Sequence, residues 1–328
     1  MVLAIIGATG MVGRVMLQVL EEREIKITKL ILVASKKSFK KQVFFRNKKY
    51  KIICIEELYK HKVDLALFSA GSDVSKEWAP KLADKGCKVI DNSSYWRMSS
   101  KHKLIVPEIN GHKIQSKDMI IANPNCSTIQ LVMVLAPLHR AFTIKRVVVS
   151  TYQSVTGTGK KAVNQLESEE RGVKHSKIYP HQIYNNILPH CDSFENNGYT
   201  KEEMKIENET KKIIDDKINI TATAVRVPVC ECHSESVNIT FEKEYDLLKV
   251  REILKKEKGV LVFDSISKNE YPMPILAKGK DDVFVGRIRR DMSTEKALNL
   301  WIVSDNLRKG AATNSIQIAE HLIKNKFV

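Results

Sequence analysis

No apolar run in this chain reaches membrane-spanning length; the strongest candidate, Leu131 to Leu138, is broken by Pro137 and followed by His139-Arg140. No secretory leader is expected either, because no basic segment precedes the apolar run Val2–Ile6, which stops at Gly7. The six cysteines (Cys54, Cys87, Cys126, Cys191, Cys230 and Cys232) show no framework spacing, which fits a reducing, cytoplasmic setting. Cys230, Cys232 and His233 have no second ligand cluster at zinc spacing beyond His190-Cys191, so no metal is expected. Acidic residues are in deficit, 38 against 54 Lys+Arg, for a formal charge of +16. The basic clusters at Lys36-Lys37, Lys40-Lys41, Arg46 to Lys51 and Lys255-Lys256 show no regular interleaving with stacking aromatics, which argues against a nucleic-acid partner. Such a surface would still attract phosphorylated small molecules. Internal repeats and low-complexity linkers are absent from the sequence.

A chain of 328 residues is long for one core, and two domains are the natural expectation. The first third alternates buried apolar strands (Val2–Ile6, Leu30–Ala34, Asp64–Ser69, Lys88–Asp91, Met119–Ala122) with helical stretches. That rhythm predicts a Rossmann-type, doubly wound parallel sheet. From about Lys145 the pattern becomes β-rich, with strands expected over Arg146–Tyr152, Thr221–Val229, Ser236–Phe241, Val260–Phe263, Val283–Ile288 and Leu298–Val303. Interposed helices at Gly159–Arg171, Thr200–Ile214 and Leu247–Lys256 predict a second, α+β domain on a mixed or antiparallel sheet. The expected division is 1–125 joined by a C-terminal helix in 307–328, against 126–306.

Three features carry chemistry. Gly7-Ala8-Thr9-Gly10-Met11-Val12-Gly13 follows the first strand and opens the first helix, where glycines permit a tight turn and close approach of a pyrophosphate. The second strand ends in Ala34-Ser35-Lys36-Lys37-Ser38, without the acid that holds a ribose 2′-hydroxyl and with two cations that suit a 2′-phosphate, so NADP is favoured over NAD. Finally, Ala122-Asn123-Pro124-Asn125-Cys126-Ser127-Thr128 puts a thiol where a strand gives way to a helix, expected to begin near Ile129 with Ser127 or Thr128 as its cap. Unpaired N–H groups and the helix dipole favour thiolate at such a position, and thiolate is the nucleophile of covalent catalysis. Arg226 lies on the strand reaching Val229, and His233, just past it, would serve as acid/base if near the cysteine.

Over nearly its whole length the chain resembles the aspartate-β-semialdehyde dehydrogenases. The resemblance rests on these segments together with Asp91 to Met98, Val106 to Asn110, Thr151 to Gly157, Glu202 to Lys205, Arg226 with His233, and Asp305-Asn306 through Asn314. It implies a fold similar to that of glyceraldehyde-3-phosphate dehydrogenase and a homo-oligomer, most simply a dimer. By the resemblance, Cys126 is the acyl-thioester nucleophile, His233 its acid/base partner and Gln153 the group that positions the acyl chain. Arg226 would fork onto the substrate carboxylate and Glu203 would accept its ammonium group, while Arg97, Lys205 and Asn125 hold phosphate. Gly7, Thr9, Gly10, Met11, Val12, Gly13, Ser35, Lys37, Ser38, Thr156, Gly157 and Asn314 would line NADP. The implied reaction converts β-aspartyl phosphate to aspartate semialdehyde and phosphate, feeding lysine (through diaminopimelate), threonine and methionine synthesis. Three other readings compete: an N-acetylglutamyl-phosphate reductase, a short-chain dehydrogenase (Tyr245 and Lys249 fit its spacing but lie too late in the chain), and a non-catalytic dinucleotide or redox sensor.

Overall fold

The computed structural model describes residues 1–39 and 41–328; Lys40, from one of the basic clusters, lies outside the described residues. The chain forms two compact units, Met1–Asn125 with Ala311–Val328, and Cys126–Gly310.

In the first unit the elements run β1 (Val2–Ile6), α1 (Met11–Glu22), β2 (Lys29–Val33), a hairpin of β3 (Val43–Phe45) and β4 (Lys48–Tyr50), β5 (Ile52–Ile53), α2 (Ile55–Leu58), β6 (Leu65–Phe68), α3 (Ser72–Ala83), β7 (Lys88–Asp91), β8 (Lys103–Leu104), α4 (Pro107–Asn110) and β9 (Ile120–Ala122). Seven of these strands make one sheet in the order β5-β2-β1-β6-β7-β9-β8, every pair parallel. The chain leaves β1 toward β2 on one side and returns to β6 on the other, so the strand order reverses at the carboxyl end of β1, where such sheets bind ligands. Gly7 occupies that point with φ 91°, and a Cβ on it would meet the Ser69 carbonyl oxygen at 2.1 Å. Gly13 lets α1 lie against the turn, since its Cβ would stand 2.3 Å from the Gly7 oxygen. Met16, Leu17 and Leu20 of α1 share a core with Ile316, Ala319 and Leu322 from the C-terminal segment.

The second unit runs α5 (Cys126–Phe142), β10 (Ile144–Gln153), α6 (Lys160–Glu170), α7 (Lys201–Ile213), β11 (Asn219–Arg226), β12 (His233–Phe241), α8 (Leu247–Lys256), β13 (Val260–Val262), α9 (Pro274–Ala277), β14 (Val283–Arg290) and β15 (Ala297–Ser304); α10 (Thr313–Lys324) belongs to the first unit. Its six-stranded sheet, β11-β10-β12-β15-β14-β13, is mixed: the β10/β11 and β13/β14 pairs are parallel and the inner pairs antiparallel. Val237, Ile239 and Phe241 of β12 are buried while Ser236 is exposed and Asn238 and Thr240 are half-buried, the alternation of a sheet covered on one face. Thirteen of the 17 residues of α5 are buried, so this helix lies within the unit's interior.

Candidate active site

The helix α5 begins at Cys126 itself, three residues before the start expected near Ile129. Ser127 does not cap it but sits in its first turn, accepting a 2.6 Å hydrogen bond from Gln153 Nε2 at the end of β10. Cys126 therefore meets the helix's orphan N–H groups directly, and it is half-buried. Gly310 backs it: a Cβ there would lie 3.0 Å from Cys126 Cβ.

His233 is likewise part of an element, the first residue of β12, and is wholly buried. The Ser154 backbone N–H donates to its Nδ1 at 3.1 Å, which leaves the ring proton on Nε2. Burial first, and then the Arg226 guanidinium, push the imidazole down to about 3. Nε2 has no protein partner, and a Cβ on Gly157 would stand 3.1 Å from it and 3.0 Å from Arg226 Nη1. Arg226 is buried at the end of β11; Nη1 donates to the Ser154 carbonyl at 2.6 Å, and Nε has no partner. A buried cation with an N–H to spare is a site for an anion.

The first turn of α7 separates two adjacent carboxylates. Thr200 and Glu203 make a capping box in which Glu203 Oε2 accepts the Thr200 N–H at 2.6 Å, and its Oε1 accepts the Ala224 N–H at 2.9 Å. Both oxygens of Glu203 are thus occupied by backbone, against the expectation that it receives the substrate. Glu202, about 100° round the helix, instead accepts from Gln153 Nε2 at 3.1 Å and from Lys205 Nζ at 3.2 Å, and its charge acts on His233. Lys205 also donates to Asp192 at 2.6 Å; burial would lower it, but Glu202 and Asp192 outweigh that and raise it. Cys191 stands among these groups, with Arg226, Glu202 and Cys126 all acting on a thiol that burial pushes up to about 12.

One unit therefore gathers Cys126, Gln153, Lys205, Arg226 and His233 with Gly157, and adds Glu202. Thr156 supports the histidine side of this group: Asn306 Nδ2 donates to its hydroxyl at 3.1 Å, while Asn306 Oδ1 accepts the Cys232 N–H at 3.0 Å.

The other predicted residues lie in the first unit. A cavity of about 520 Å³ opens at the end of β1, lined by Gly7, Thr9, Gly10, Ser35, Lys36 and Glu56 among others. Lys37 is exposed and is not among its lining residues, while Ser38 is buried and accepts a 3.2 Å hydrogen bond from Thr9 Oγ1. Met11 and Val12 open α1. Arg97 is buried and donates to the carbonyls of Asn123 at 2.9 Å and Asn92 at 2.8 Å; Asn125 is buried too. Asn314 Nδ2 donates to Asn123 Oδ1 at 2.7 Å and to the Ile105 carbonyl at 2.9 Å, bracing the loop that leads out of β9. Among the described residues no group of three or more His, Cys, Asp or Glu could hold a metal ion, and no helix is long and apolar enough to cross a membrane.

Two family models match, one described as semialdehyde dehydrogenase, NAD binding domain, over residues 2–117, the other as semialdehyde dehydrogenase, dimerisation domain, over residues 135–309. The aspartate-semialdehyde dehydrogenase of Aquifex aeolicus is 50% identical over 99% of this chain and 98% of its own length. The chain belongs to the aspartate-semialdehyde dehydrogenase family. The Legionella pneumophila member is 51% identical over 97% of this chain and 94% of its own length. Among solved structures, aspartate semialdehyde dehydrogenase II of Vibrio cholerae superposes with a TM-score of 0.93 at 42% identity, covering 98% of each chain, and a structure of that enzyme complexed with ASA aligns equally well, with a TM-score of 0.93.

Membership makes the chain an oxidoreductase of amino-acid biosynthesis with a nucleotide-binding domain, and the competing reductase and sensor readings are not favoured. Sequence reasoning gave no role to Glu202, Gly310 or Asn306, although Glu202 and Asn306 lie in segments that carry the resemblance. The pattern Thr200-x-x-Glu203 before a helix held the signal for the first, since a glutamate at that position turns back to the cap. Gly310 carried no signal, because its reason is a contact across 184 residues of sequence with Cys126.

Proposed function

We propose that the chain converts β-aspartyl phosphate to aspartate β-semialdehyde through a thioester on Cys126, with NADP as its cofactor. The observation that carries this reading is the buried Arg226, with its unpartnered Nε, beside the unpartnered Nε2–H of His233. Cys126 Sγ attacks the acyl carbon, the C–O bond to phosphate breaks, and phosphate leaves with that electron pair. The Nε2–H of His233 donates a hydrogen bond to the oxygen that becomes an oxyanion when the thioester is reduced, and that oxyanion then collapses as the C–S bond breaks. That collapse releases the aldehyde and returns Cys126 to its thiolate. Gln153, held between Ser127 and Glu202, orients the acyl group.

Arg226 offers a planar fork to the substrate α-carboxylate. Glu202, rather than Glu203, is the carboxylate supported as the ammonium acceptor, because Glu203 is occupied by two backbone N–H groups. Lys205, with Arg97 and Asn125, would hold phosphate. The cradle at Gly7 and Gly13, where side chains would collide with backbone, fits a dinucleotide pyrophosphate, and Thr9, Gly10, Ser35 and the Lys36–Ser38 turn would hold the rest; Thr156, Gly157 and Asn314 stay on the resemblance alone. When bound, that cofactor supplies the hydride. A homodimer acting in the cytoplasm completes the reading, supported by the matched dimerisation domain.

Phosphate-dependent reduction of NADP by aspartate semialdehyde tests it. Cys126→Ser should lose turnover while retaining fold and cofactor binding. Near-normal activity in that variant, or activity indifferent to phosphate, would refute the thioester route.

A further inference from the structure

Beneath the catalytic groups lie buried polar side chains that no step above employs. On β12, Glu235 follows His233 by two residues, so both leave the strand on the same face. On α5, Gln130 follows Cys126 by four residues, so the two share one stripe of the helix. Glu235 is wholly buried and Gln130 is 1% exposed. Neither carboxyl oxygen of Glu235 and neither polar atom of Gln130 has a hydrogen-bond partner, yet the Gln130 amide is the group that acts on the carboxyl. Thr151 lies directly across the ladder from Glu235, and Ser304 across from His233; both bring buried hydroxyls without partners. A buried polar atom left unpaired is destabilising, so a facing acid and amide in a core call for a pairing role.

We propose that Glu235 and Gln130 form an acid–amide latch that ties α5 to β12 and so sets the approach of Cys126 to His233. Both are positioning residues, and the proposal rests on the Cys126–His233 assignment above. The two groups are complementary when the carboxyl is neutral. In the proposed pairing, which the side chains as placed do not make, the carboxyl O–H would donate to Gln130 Oε1 and its carbonyl oxygen would accept from Gln130 Nε2–H, engaging all four polar atoms. Burial holds the carboxyl well above the ordinary range, and the amide opposite draws it back only in part. Each latch member stands one structural repeat from a catalytic residue, four residues along the helix and two along the strand. A shift of the helix on the sheet would therefore displace Sγ relative to the imidazole.

The test uses the full-length enzyme, with kcat and KM for aspartate semialdehyde, the iodoacetamide alkylation rate of Cys126 against pH, and thermal melting. Glu235→Gln keeps a neutral, hydrogen-bonding partner of the same size; its kcat should stay within about threefold of the parent, with the alkylation profile unchanged. Glu235→Leu and Gln130→Leu should each melt cooperatively yet lose about 10- to 100-fold in kcat at nearly constant KM, as a small misplacement of reacting groups does. The double leucine variant should be no worse than either single one. A Glu235→Gln enzyme as impaired as Glu235→Leu would show that an ionised carboxylate is needed and overturn the latch. Unchanged kcat in Glu235→Leu, or losses that simply add in the double variant, would overturn it too. Should the thioester reading itself be wrong, the parent enzyme would fail the phosphate-dependent assay before any latch variant is compared.

Discussion

At the residue scale, the two neighbouring glutamates on α7 keep different company, Glu203 with two backbone N–H groups and Glu202 with Gln153 and Lys205. Glu203→Gln removes one acceptor from a pair of backbone N–H bonds, so it should lower stability by about 1–2 kcal/mol and leave the KM for aspartate semialdehyde nearly unchanged. Glu202→Gln should do the reverse, melting normally while KM rises by about tenfold or more. Kinetics and urea unfolding of the two variants decide the matter, and the opposite pattern would restore Glu203 as the acceptor. The residue types at this site were legible in the sequence; which of two adjacent carboxylates faces inward depends on the capping box at Thr200, a matter of helix phase. His233 gives the second test. Its folded value lies near 3 against an ordinary 6.5, with Arg226 and Glu202 the charges that act on it. Between those values the unfolded chain binds the proton and the folded one does not. The corresponding stability is complete above about 6.5 and is lost as pH falls toward 3, at up to about 1.4 kcal/mol per pH unit. Relative to a His233→Gln variant, the parent should lose unfolding free energy faster between pH 6.5 and 4. Parallel curves would contradict a buried neutral imidazole.

At the scale of elements, the short turn after β2 is where sequence and structure place their emphasis differently. The sequence points to Lys37 and Ser38, whereas the cavity is lined by Ser35 and Lys36, and Ser38 ties the turn to Thr9. Removing both cations (Lys36→Ala with Lys37→Ala) should raise the KM for NADP by about 10- to 100-fold and leave an NAD-linked reaction almost unaltered. The two single variants apportion the effect, and equal losses with both cofactors would mean that the turn supports only the fold or the pyrophosphate. The strands of the parallel sheet were readable because β1 and β6 are unbroken apolar runs and β2 is one after Lys29, as burial on both faces requires, while β7 keeps only Val89-Ile90 between two charged ends. The start of β12 was not, since Cys230-Glu231-Cys232 shows no alternation and Cys232 turns with a left-handed φ of 70°. For the same reason His233 reads in sequence as a loop residue although it opens a strand. The start of α5 was misjudged because Ser127 and Thr128 look like caps, while their position inside the first turn comes from the chain's exit from β9.

At the scale of the whole molecule, the polypeptide enters its second unit at Cys126 and leaves it at Gly310, and these two residues touch, with the position of a Gly310 Cβ only 3.0 Å from Cys126 Cβ. In topological terms the second unit is an insertion whose ends coincide, and its first residue is Cys126, the proposed nucleophile. Ends that close permit excision without stretching the host. Within the host, Asn123 Nδ2 already reaches the Ala311 carbonyl at 3.4 Å. A chain in which residues 126–310 are replaced by a short Gly/Ser linker should fold cooperatively and bind dinucleotide in a fluorescence titration, with no trace of turnover. An unfolded product would show that the host needs its guest. A folded, dinucleotide-binding product would make the peptide bond between Asn125 and Cys126 a seam between a unit that folds by itself and the unit that carries the cysteine.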